Sequence, residues 1–300
     1  MKTKKLIVLA GPTGIGKTNL SLELAQEFNS EIISCDGRQF YQELNIGVAK
    51  PTQQQLNSVK HHFISHISIK KQYTVGDYEK EGLKKLNSLF KKNDTLFLVG
   101  GSGLYIDAIC EGLHKFPIIN NTIRKDLELE LKNKGIEYLN KQLLKIDPET
   151  YSIIDKKNPR RIIRALEVFK TSKKPYSYYK KKKKQIRNFN TLFVALNQNR
   201  ENLYKKIDQR TETMIHNGLI DEVKNLYKYK DLKALQTIGY NEVFKYIEKK
   251  YSLEDTINEI KKNTRRYAKR QITWFKNKKY IHFNISEKKE ILNLIKNYDS

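Results

Sequence analysis

The stretch Gly11-Pro12-Thr13-Gly14-Ile15-Gly16-Lys17-Thr18 decides how this chain folds. It fits the pattern G-x-x-x-x-G-K-[ST], in which glycines let backbone amides curl around an anion. The helix that follows adds the positive end of its dipole. Lys17 supplies a point charge, and the Thr18 hydroxyl is a potential ligand for Mg²⁺. The eight residues predict a phosphate-binding loop, but they leave open whether the anion belongs to ATP, GTP or another diphosphate.

The segments around this loop alternate between strand and helix patterns. The apolar run Leu6–Ala10 predicts a buried strand before the loop, and Lys17–Phe28 has helical spacing after it. Further strands are predicted at Glu31–Cys35 and Thr95–Val99, with a helix at Asp77–Phe90 between them. This alternation predicts an α/β fold with a parallel sheet, in the manner of a P-loop NTPase-like core.

The character of the chain changes after Phe116-Pro117. Polar helices with narrow apolar stripes are predicted at Ile123–Asn133, Gly135–Lys145 and Arg160–Thr171, and the next strand pattern is Thr191–Leu196. We therefore predict a core over residues 1–114 and 188–300, helical in its C-terminal part, that is interrupted by a helical insertion over residues 115–187. The insertion has 21 Lys and Arg against 8 Asp and Glu, a net charge of +13.

The charge of the whole chain is strongly positive. Its 300 residues include 58 Lys and Arg against 33 Asp and Glu, a formal net charge of +25. A field of this sign attracts polyanions, so nucleic acid is the leading class of partner. A Lys-rich genome is the alternative explanation, but such a bias would not place about half of the charge in the insertion.

Cysteine content and hydropathy predict where the protein works. Cys35 and Cys110 are too few for a disulfide framework or a zinc site, and they fit a reducing cytosol. Met1–Lys5 is basic, but the apolar run after it is too short for a signal peptide. No stretch approaches the ~20 apolar residues of a membrane span. We expect a soluble, cytoplasmic monomer with no membrane partner.

Asp36 follows the second predicted strand. Ligands of open parallel sheets bind outside the carboxyl ends of the strands, so Asp36 should face the same crevice as the phosphate-binding loop. A carboxylate there can accept a proton or hold a nucleophile. Its position before Gly37 is equally consistent with capping of a turn.

Two basic clusters suit contact with RNA. Arg160, Arg161 and Arg164 lie within one helical turn, where three guanidinium groups suit phosphodiesters. Pairing with Glu167 is the alternative, although one acid cannot neutralise three cations. The second cluster mixes charge with aromatic rings that can stack on bases or pack the core. It consists of Arg265, Arg266, Lys269 and Arg270 with Tyr267, Trp274 and Phe275.

Taken together, these segments resemble the bacterial tRNA dimethylallyltransferase family, also called tRNA isopentenyltransferases. The resemblance runs from Leu6 to about Lys276, with the order and spacing of several segments preserved. They are Gly11–Thr18, Asp36–Gln39, Ile46–Pro51, His61-His62, Val99–Tyr105, Arg160–Glu167, Ile207–Arg210, Ile238–Tyr240, Thr264–Gln271 and Thr273-Trp274.

The resemblance implies a reaction and a role for each part of the site. A dimethylallyl group would move from dimethylallyl diphosphate to N6 of adenine 37 in tRNA, next to the anticodon, with Mg²⁺ as cofactor. The phosphate-binding loop would hold the diphosphate, with Thr18 on the metal and Arg210 on the opposite side. Asp36 would act as general base, and Ser102 would lie beside the reacting adenine.

The resemblance also implies contacts with the anticodon stem-loop of tRNA. They come from three segments of the chain. These are Asp36, Gly37, Arg38 and Gln39; Arg160, Arg161, Ile162, Ile163 and Arg164; and Thr237, Ile238, Gly239, Tyr240, Asn241 and Glu242.

Four residues depart from the usual family pattern. Gly37 stands where Ser is usual, Val48 and Ser102 where Thr is usual, and Asn241 where Lys is usual. None of these departures changes the phosphate-binding loop, Asp36 or Arg210, so we expect an active enzyme.

Three other functions share parts of this pattern. An adenylate isopentenyltransferase has the same core, but it needs no basic insertion. A P-loop nucleoside kinase also fits the phosphate-binding loop. A catalytically silent RNA-binding protein fits the charge, but not the intact Lys17, Thr18 and Asp36.

Overall fold

A computed structural model, which describes residues 4–181 and 185–298, divides the chain into two compact units. The first combines the residues up to Glu111 with those from Arg187 onward, and the second spans Gly112–Ile186. The second unit begins slightly earlier than the insertion predicted at residues 115–187.

The first unit is built on a parallel sheet. Its strands are β1 (Lys5–Ala10), β2 (Ile32–Ser34), β3 (His61–His62), β4 (Thr95–Gly100), β5 (Asn190–Asn197) and β6 (Ile281–Asn284). Their order in the sheet is β3-β2-β4-β1-β5-β6, and every pairing is parallel. The α/β class and the parallel sheet are therefore confirmed.

Helices make up most of the remaining structure. In chain order they are α1 (Lys17–Glu27), α2 (Gln53–Ser58), α3 (Val75–Leu89), α4 (Gly103–Cys110), α5 (Asn121–Ile146), α6 (Pro148–Ile153), α7 (Pro159–Ser172), α8 (Tyr176–Lys180), α9 (Arg200–His216), α10 (Leu219–Leu226), α11 (Tyr240–Ile247), α12 (Leu253–Phe275) and α13 (Lys288–Lys296), with a 3₁₀ turn at Tyr227–Tyr229. Across the described ranges, none of them combines the length and the apolar content that crossing a bilayer requires.

Strand β1 shows why the sheet has helices on both faces. Leu6, Val8 and Ala10 belong to one buried apolar cluster, whereas Ile7 and Leu9 belong to the other. Successive side chains of a strand point to opposite faces, so a continuously apolar strand requires an apolar layer on each side.

Differences from the predicted elements have local causes. Helix α3 begins two residues before the predicted Asp77, because Thr74 caps it and pairs reciprocally with Asp77 in a capping box. Strand β3 has only two residues, and the side chains of β6 are mostly exposed. Neither therefore carries the apolar pattern by which a strand is recognised in a sequence.

The second unit is helical and has its own core. Helix α5 contains a break at Gly135 (φ 76°), where the sequence predicted two separate helices. Leu127 and Leu139 of α5 pack with Ile162 and Ile163 of α7. Because these two isoleucines are buried, the RNA contacts predicted for residues 160–164 depend on the arginines of that segment.

Glu167 of α7 is fully buried and binds two of the basic side chains. Its Oε1 lies 2.5 Å from Arg124 Nε, and its Oε2 lies 3.2 Å from Arg124 Nη2 and 3.5 Å from Arg164 Nη1. Pairing with Glu167, which was the alternative to RNA contact, is thus observed for Arg164. Arg160 and Arg161 are exposed, so they carry the prediction of RNA contact in this unit.

The buried carboxylate should stabilise the second unit. Glu167→Gln keeps the size of the side chain but removes the charge that the two arginines face. We expect the free energy of unfolding of the full chain to fall by about 1–2 kcal/mol, a range reduced because both arginines are partly exposed. The measurement is denaturant-induced unfolding.

The matched control is Glu149→Gln, because Glu149 forms a solvent-exposed pair with Lys181 in the same unit. This variant should change the free energy of unfolding by less than about 0.5 kcal/mol. Equal stability of the two variants would contradict a stabilising role for Glu167.

Candidate active site

A cavity of about 860 Å³ opens in the first unit where β1, β2 and β4 end. Lys17 and Thr18 line it from the loop after β1, Asp36–Gln39 from the segment after β2, and Gly100–Ser102 from the end of β4. The carboxyl ends of parallel strands meet at one edge of the sheet, which collects these polar groups.

The loop after β1 has the backbone of an anion-binding loop. Gly14 and Gly16 have φ values of 82° and 106°, in the left-handed region that glycine adopts readily. Lys17 Nζ bonds back to the carbonyl oxygens of Gly11 (2.9 Å) and Pro12 (2.8 Å). Helix α1 begins at Lys17, so its free amides and its dipole point toward the cavity.

Asp36 lines the same cavity from the segment after β2. Its Oδ1 accepts the Arg38 N–H at 3.0 Å, and its own N–H donates to Ser34 Oγ at 3.3 Å. The first of these bonds is the turn-capping role that its position before Gly37 allowed. The carboxylate also lines the cavity, so capping and catalysis are compatible.

Lys17 and Arg210 bring two positive charges close to Asp36. Desolvation lowers the pKa of Lys17 to about 8, a shift that Asp36 opposes and Arg210 increases. Burial likewise lowers the pKa of the Arg210 guanidinium, and Asp36 again opposes the shift. One carboxylate does not offset the desolvation of two cations, so the cavity favours an additional anion.

Ser102 and Tyr267 meet beside Asp36. The Gly37 N–H donates a long bond of 3.4 Å to Ser102 Oγ. Burial and the nearby Asp36 raise the pKa of Tyr267 to about 12, and a side-chain hydrogen bond with Ser102 opposes the rise. The Tyr267 hydroxyl therefore stays protonated near neutral pH, next to the carboxylate.

Gln271 connects two of the segments that line the cavity. Its Oε1 accepts the Thr13 N–H at 2.9 Å, and its Nε2 donates to the Gly101 carbonyl at 2.8 Å. A single buried amide thus connects the phosphate-binding loop to the strand end that carries Ser102. Side-chain amides can do this because they hold a donor and an acceptor in one group.

Arg38 and Gln39 use their side chains largely within the protein. Arg38 donates to the carbonyl oxygens of Lys233, Ala234 and Gln236 at 2.9–3.1 Å. Gln39 Nε2 donates to the carbonyl oxygens of Val48 and Ala49 at 3.3 and 3.0 Å. Both residues still line the cavity. Their side-chain bonds, however, hold together the backbone segments of its wall.

The predicted RNA-contacting segment 237–242 is divided between the cavity and the interior. Thr237, Ile238, Gly239 and Asn241 line the cavity, whereas the side chains of Tyr240 and Glu242 are buried. Glu242 accepts the Gly239 N–H at 2.7 Å and a bond from Asn263 Nδ2 at 2.8 Å.

One face of α12 contributes residues that sequence reasoning did not place at the site. Ile260, Thr264, Tyr267 and Gln271 line the cavity at helical spacing. The spacing was visible in the sequence, but an amphipathic stripe does not reveal what it faces. Farther along the helix, Phe275 is buried, which agrees with the alternative that this ring packs the core. Trp274 is 42% exposed.

Comparison with known proteins identifies a family to which the chain is similar. The sequence profile of a family described as IPP transferase matches residues 39–278. The chain is 48% identical to a tRNA dimethylallyltransferase of Flavobacterium johnsoniae, with 97% of each chain covered. It is 49% identical to the enzyme of the same name from Christiangramia forsetii, with 90% of each covered.

Solved structures have the same fold. A tRNA isopentenylpyrophosphate transferase of Bacillus halodurans matches with a TM-score of 0.73 and 34% identity, covering 98% of this chain and 96% of that one. A eukaryotic dimethylallyltransferase acting on tRNA matches with a TM-score of 0.78 and 28% identity, covering 94% and 74%. The family profile matches most of the chain, and similar relatives cover nearly all of it. This chain therefore belongs to the IPP transferase family.

Proposed function

We propose that the protein transfers the dimethylallyl group of dimethylallyl diphosphate to N6 of adenine 37 in tRNA. The observation that carries the proposal is the meeting of Lys17, Arg210 and Asp36 in one cavity. Two desolvated cations suit a diphosphate, and the carboxylate near them suits an amine that must lose a proton. The names of the two relatives compared above agree with this chemistry.

The phosphate-binding loop and Arg210 act on the leaving group. As N6 attacks C1, the bond between C1 and the bridging oxygen breaks, and the diphosphate leaves with the electron pair. Charge then grows on the leaving oxygen, where loop amides, Lys17 and the guanidinium stabilise it. Groups already fixed in the cavity need no reorganisation as the reaction proceeds.

Thr18 fits a magnesium ion bound together with the diphosphate. It lines the cavity next to Lys17, and its hydroxyl is an oxygen ligand of the kind that Mg²⁺ accepts. Among the described residues no cluster of three His, Cys, Asp or Glu side chains could hold a metal. Thr18 is the residue that would hold the ion, together with the bound diphosphate. When bound, the ion would neutralise part of the diphosphate charge.

Asp36 acts on the nucleophile. The exocyclic amine of adenine is weakly nucleophilic, so it benefits from a group that orients it and takes its proton during attack. Its place in the cavity with Lys17 and Arg210, near the hydroxyls of Ser102 and Tyr267, supports this role. The adenine must first leave the anticodon-loop stack, which costs a few kcal/mol.

The positive charge of the protein offsets that cost by binding the RNA. Arg160 and Arg161 are exposed on the second unit, and Arg266, Lys269 and Arg270 are exposed on α12 of the first. Arg265 is partly used in a 3.5 Å pair with Asp208. A free nucleotide needs no such surface, which favours tRNA over AMP as the acceptor.

A labelling experiment tests the function against its alternatives. Radiolabelled dimethylallyl diphosphate is incubated with the protein, tRNA, AMP and ATP, and we expect the label in tRNA at adenine 37. Label in AMP would indicate an adenylate isopentenyltransferase. Phosphate transfer from ATP without prenyl transfer would indicate a kinase, and no product would indicate an RNA-binding protein.

The same assay measures the part played by Asp36. Asp36→Asn should lower single-turnover transfer by ~10²-fold or more, because the amide can still accept a hydrogen bond but cannot take the proton from N6. Affinity for tRNA should be nearly unchanged. The control is Asp221→Asn, an exposed carboxylate on α10. Transfer at the wild-type rate by Asp36→Asn would place the base elsewhere.

The lowered pKa of Lys17 predicts how diphosphate binding depends on pH. The ammonium group loses its proton above about pH 8, and an anion binds the protonated form more tightly. The contribution of Lys17 to the affinity for dimethylallyl diphosphate should therefore be level below pH 8, and above it should fall by up to about tenfold per pH unit.

Lys17→Arg is the matched control, because arginine keeps its proton over this range. Ionisation of the diphosphate affects both proteins alike, so the ratio of their dissociation constants isolates Lys17. Calorimetric titrations between pH 6.5 and 9.5 measure this ratio. A ratio that does not vary with pH would contradict the assignment.

The exposed arginines of α7 predict a salt effect. Phosphate contacts release counterions, so each lost contact should flatten the slope of log affinity against log salt by roughly 0.7–0.9. Arg160→Ala combined with Arg161→Ala should flatten the slope for an anticodon stem-loop by about 1–2, with an unchanged melting temperature.

The control removes the same charge elsewhere on the second unit. Lys141 and Lys145 are exposed on α5, and their double replacement by Ala should change the slope by less than half as much. Equal slopes for both double variants would show that only total charge matters. They would contradict a specific contact of RNA with Arg160 and Arg161.

A further inference from the structure

Glu222 of α10 holds a distant loop in an unusual way. Its Oε2 accepts the N–H groups of Asn45 (3.1 Å) and Ile46 (2.8 Å), and its Oε1 accepts that of Gly47 (3.1 Å). Oε1 also accepts the Tyr240 hydroxyl at 2.5 Å. Three successive backbone amides thus converge on one carboxylate, in the geometry by which such nests bind anions.

The loop is packed tightly around this carboxylate. A Cβ at Gly47 would lie 2.5 Å from Tyr240 Cε2 and 3.0 Å from Leu219 Cδ1, so only glycine fits there. Ala49 has a φ of 47°, a strained conformation for a residue with a Cβ. Lys50 Nζ closes the loop by donating to the Tyr41 carbonyl at 2.6 Å and to Asn45 Oδ1 at 3.0 Å.

The loop forms part of the cavity wall on which tRNA is expected to lie. Gly47, Val48, Ala49 and Lys50 all line the cavity. Its carbonyl oxygens at Val48 and Ala49 receive the side-chain amide of Gln39, three residues after Asp36. On its other side, Tyr240 extends from the segment 237–241 that lines the same cavity.

We infer that Glu222 is a positioning residue for the tRNA side of the reaction. It joins the loop 45–50 to Tyr240, so that Gln39 and the segment 237–241 face the substrate in fixed positions. The inference rests on the proposed function, because it assumes that this wall receives the RNA. Glu222 lies outside the phosphate-binding loop, and its bonds do not involve Lys17 or Arg210.

A carboxylate suits this task better than its amide. It offers two oxygens that accept four bonds, whereas a glutamine nitrogen accepts none. Burial and Glu222 both raise the pKa of Tyr240, which keeps its hydroxyl a donor to that carboxylate. Glu222→Gln should therefore leave at least one amide of the loop without an acceptor while preserving shape.

The first measurement is amide hydrogen exchange of the full chain. In Glu222→Gln, exchange at Asn45, Ile46 and Gly47 should be faster by at least about tenfold, since bonds to a charged acceptor are stronger than neutral ones. Exchange in β1 should be unchanged. The control is Asp221→Asn, the neighbouring carboxylate on the solvent side of α10, which should change neither region.

The second measurement separates the two substrates. Glu222→Gln should raise the KM for tRNA by about tenfold or more, and leave the KM for dimethylallyl diphosphate within about twofold. Tyr240→Phe removes one of the four donors and should have a smaller effect in the same direction. Glu222→Asp, which keeps the charge on a shorter side chain, should fall between wild type and Glu222→Gln.

The outcomes distinguish the inference from the function on which it rests. A wild-type protein without tRNA transfer overturns the proposed function, whatever the exchange data show. An active wild type with unchanged exchange or an unchanged KM for tRNA in Glu222→Gln overturns the role of Glu222. Equal losses for both substrates, together with a lower melting temperature, would reduce Glu222 to a stabilising residue and also overturn the inference.

Discussion

The central constraint of this structure is the desolvation of Lys17 and Arg210 around one carboxylate. Taking a cation out of water is costly unless an opposite charge or hydrogen bonds replace the lost hydration. Asp36 supplies one negative charge, and the carbonyl oxygens of Gly11 and Pro12 supply acceptors for Lys17. The remaining positive potential favours an additional anion in the cavity, and other side chains of the unit hold these groups in place.

That support comes from side chains that bridge distant parts of the chain. Gln271 joins the phosphate-binding loop to Gly101, Arg38 joins the segment after β2 to residues 233–236, and Glu222 joins the loop 45–47 to Tyr240. Each bridge satisfies several backbone groups with one side chain. Loops that line a polar cavity need such partners, because they lack the regular hydrogen bonds of helices and strands.

Some basic residues of the second unit bind a buried carboxylate, and others are exposed to solvent. Arg124 and Arg164 neutralise the buried Glu167, while Arg160 and Arg161 remain exposed at the start of the same helix. Arg164 lies about one helical turn from Glu167 and can reach it, whereas Arg160 and Arg161 lie about two turns away. Net charge alone therefore overstates how many cations are available to RNA.

The sequence by itself determined the elements whose signal is local. The motif at Gly11–Thr18, the apolar run Leu6–Ala10 and the position of Asp36 after a strand were enough to predict the α/β class and one edge of the sheet as the site. Short or exposed elements such as β3 and β6 left no such signal.

Only the tertiary structure decided which distant residues complete the cavity. Tyr267 and Gln271 line it from α12, and Glu222 binds a loop that lines it. The bond between Gly47 and Glu222 spans 175 positions of sequence, and that between Thr13 and Gln271 spans 258. It also decided that Tyr240 and Ile162 face inward. Periodicity identifies the buried face of a helix, but which groups that face meets depends on packing, which joins residues without regard to their separation in sequence.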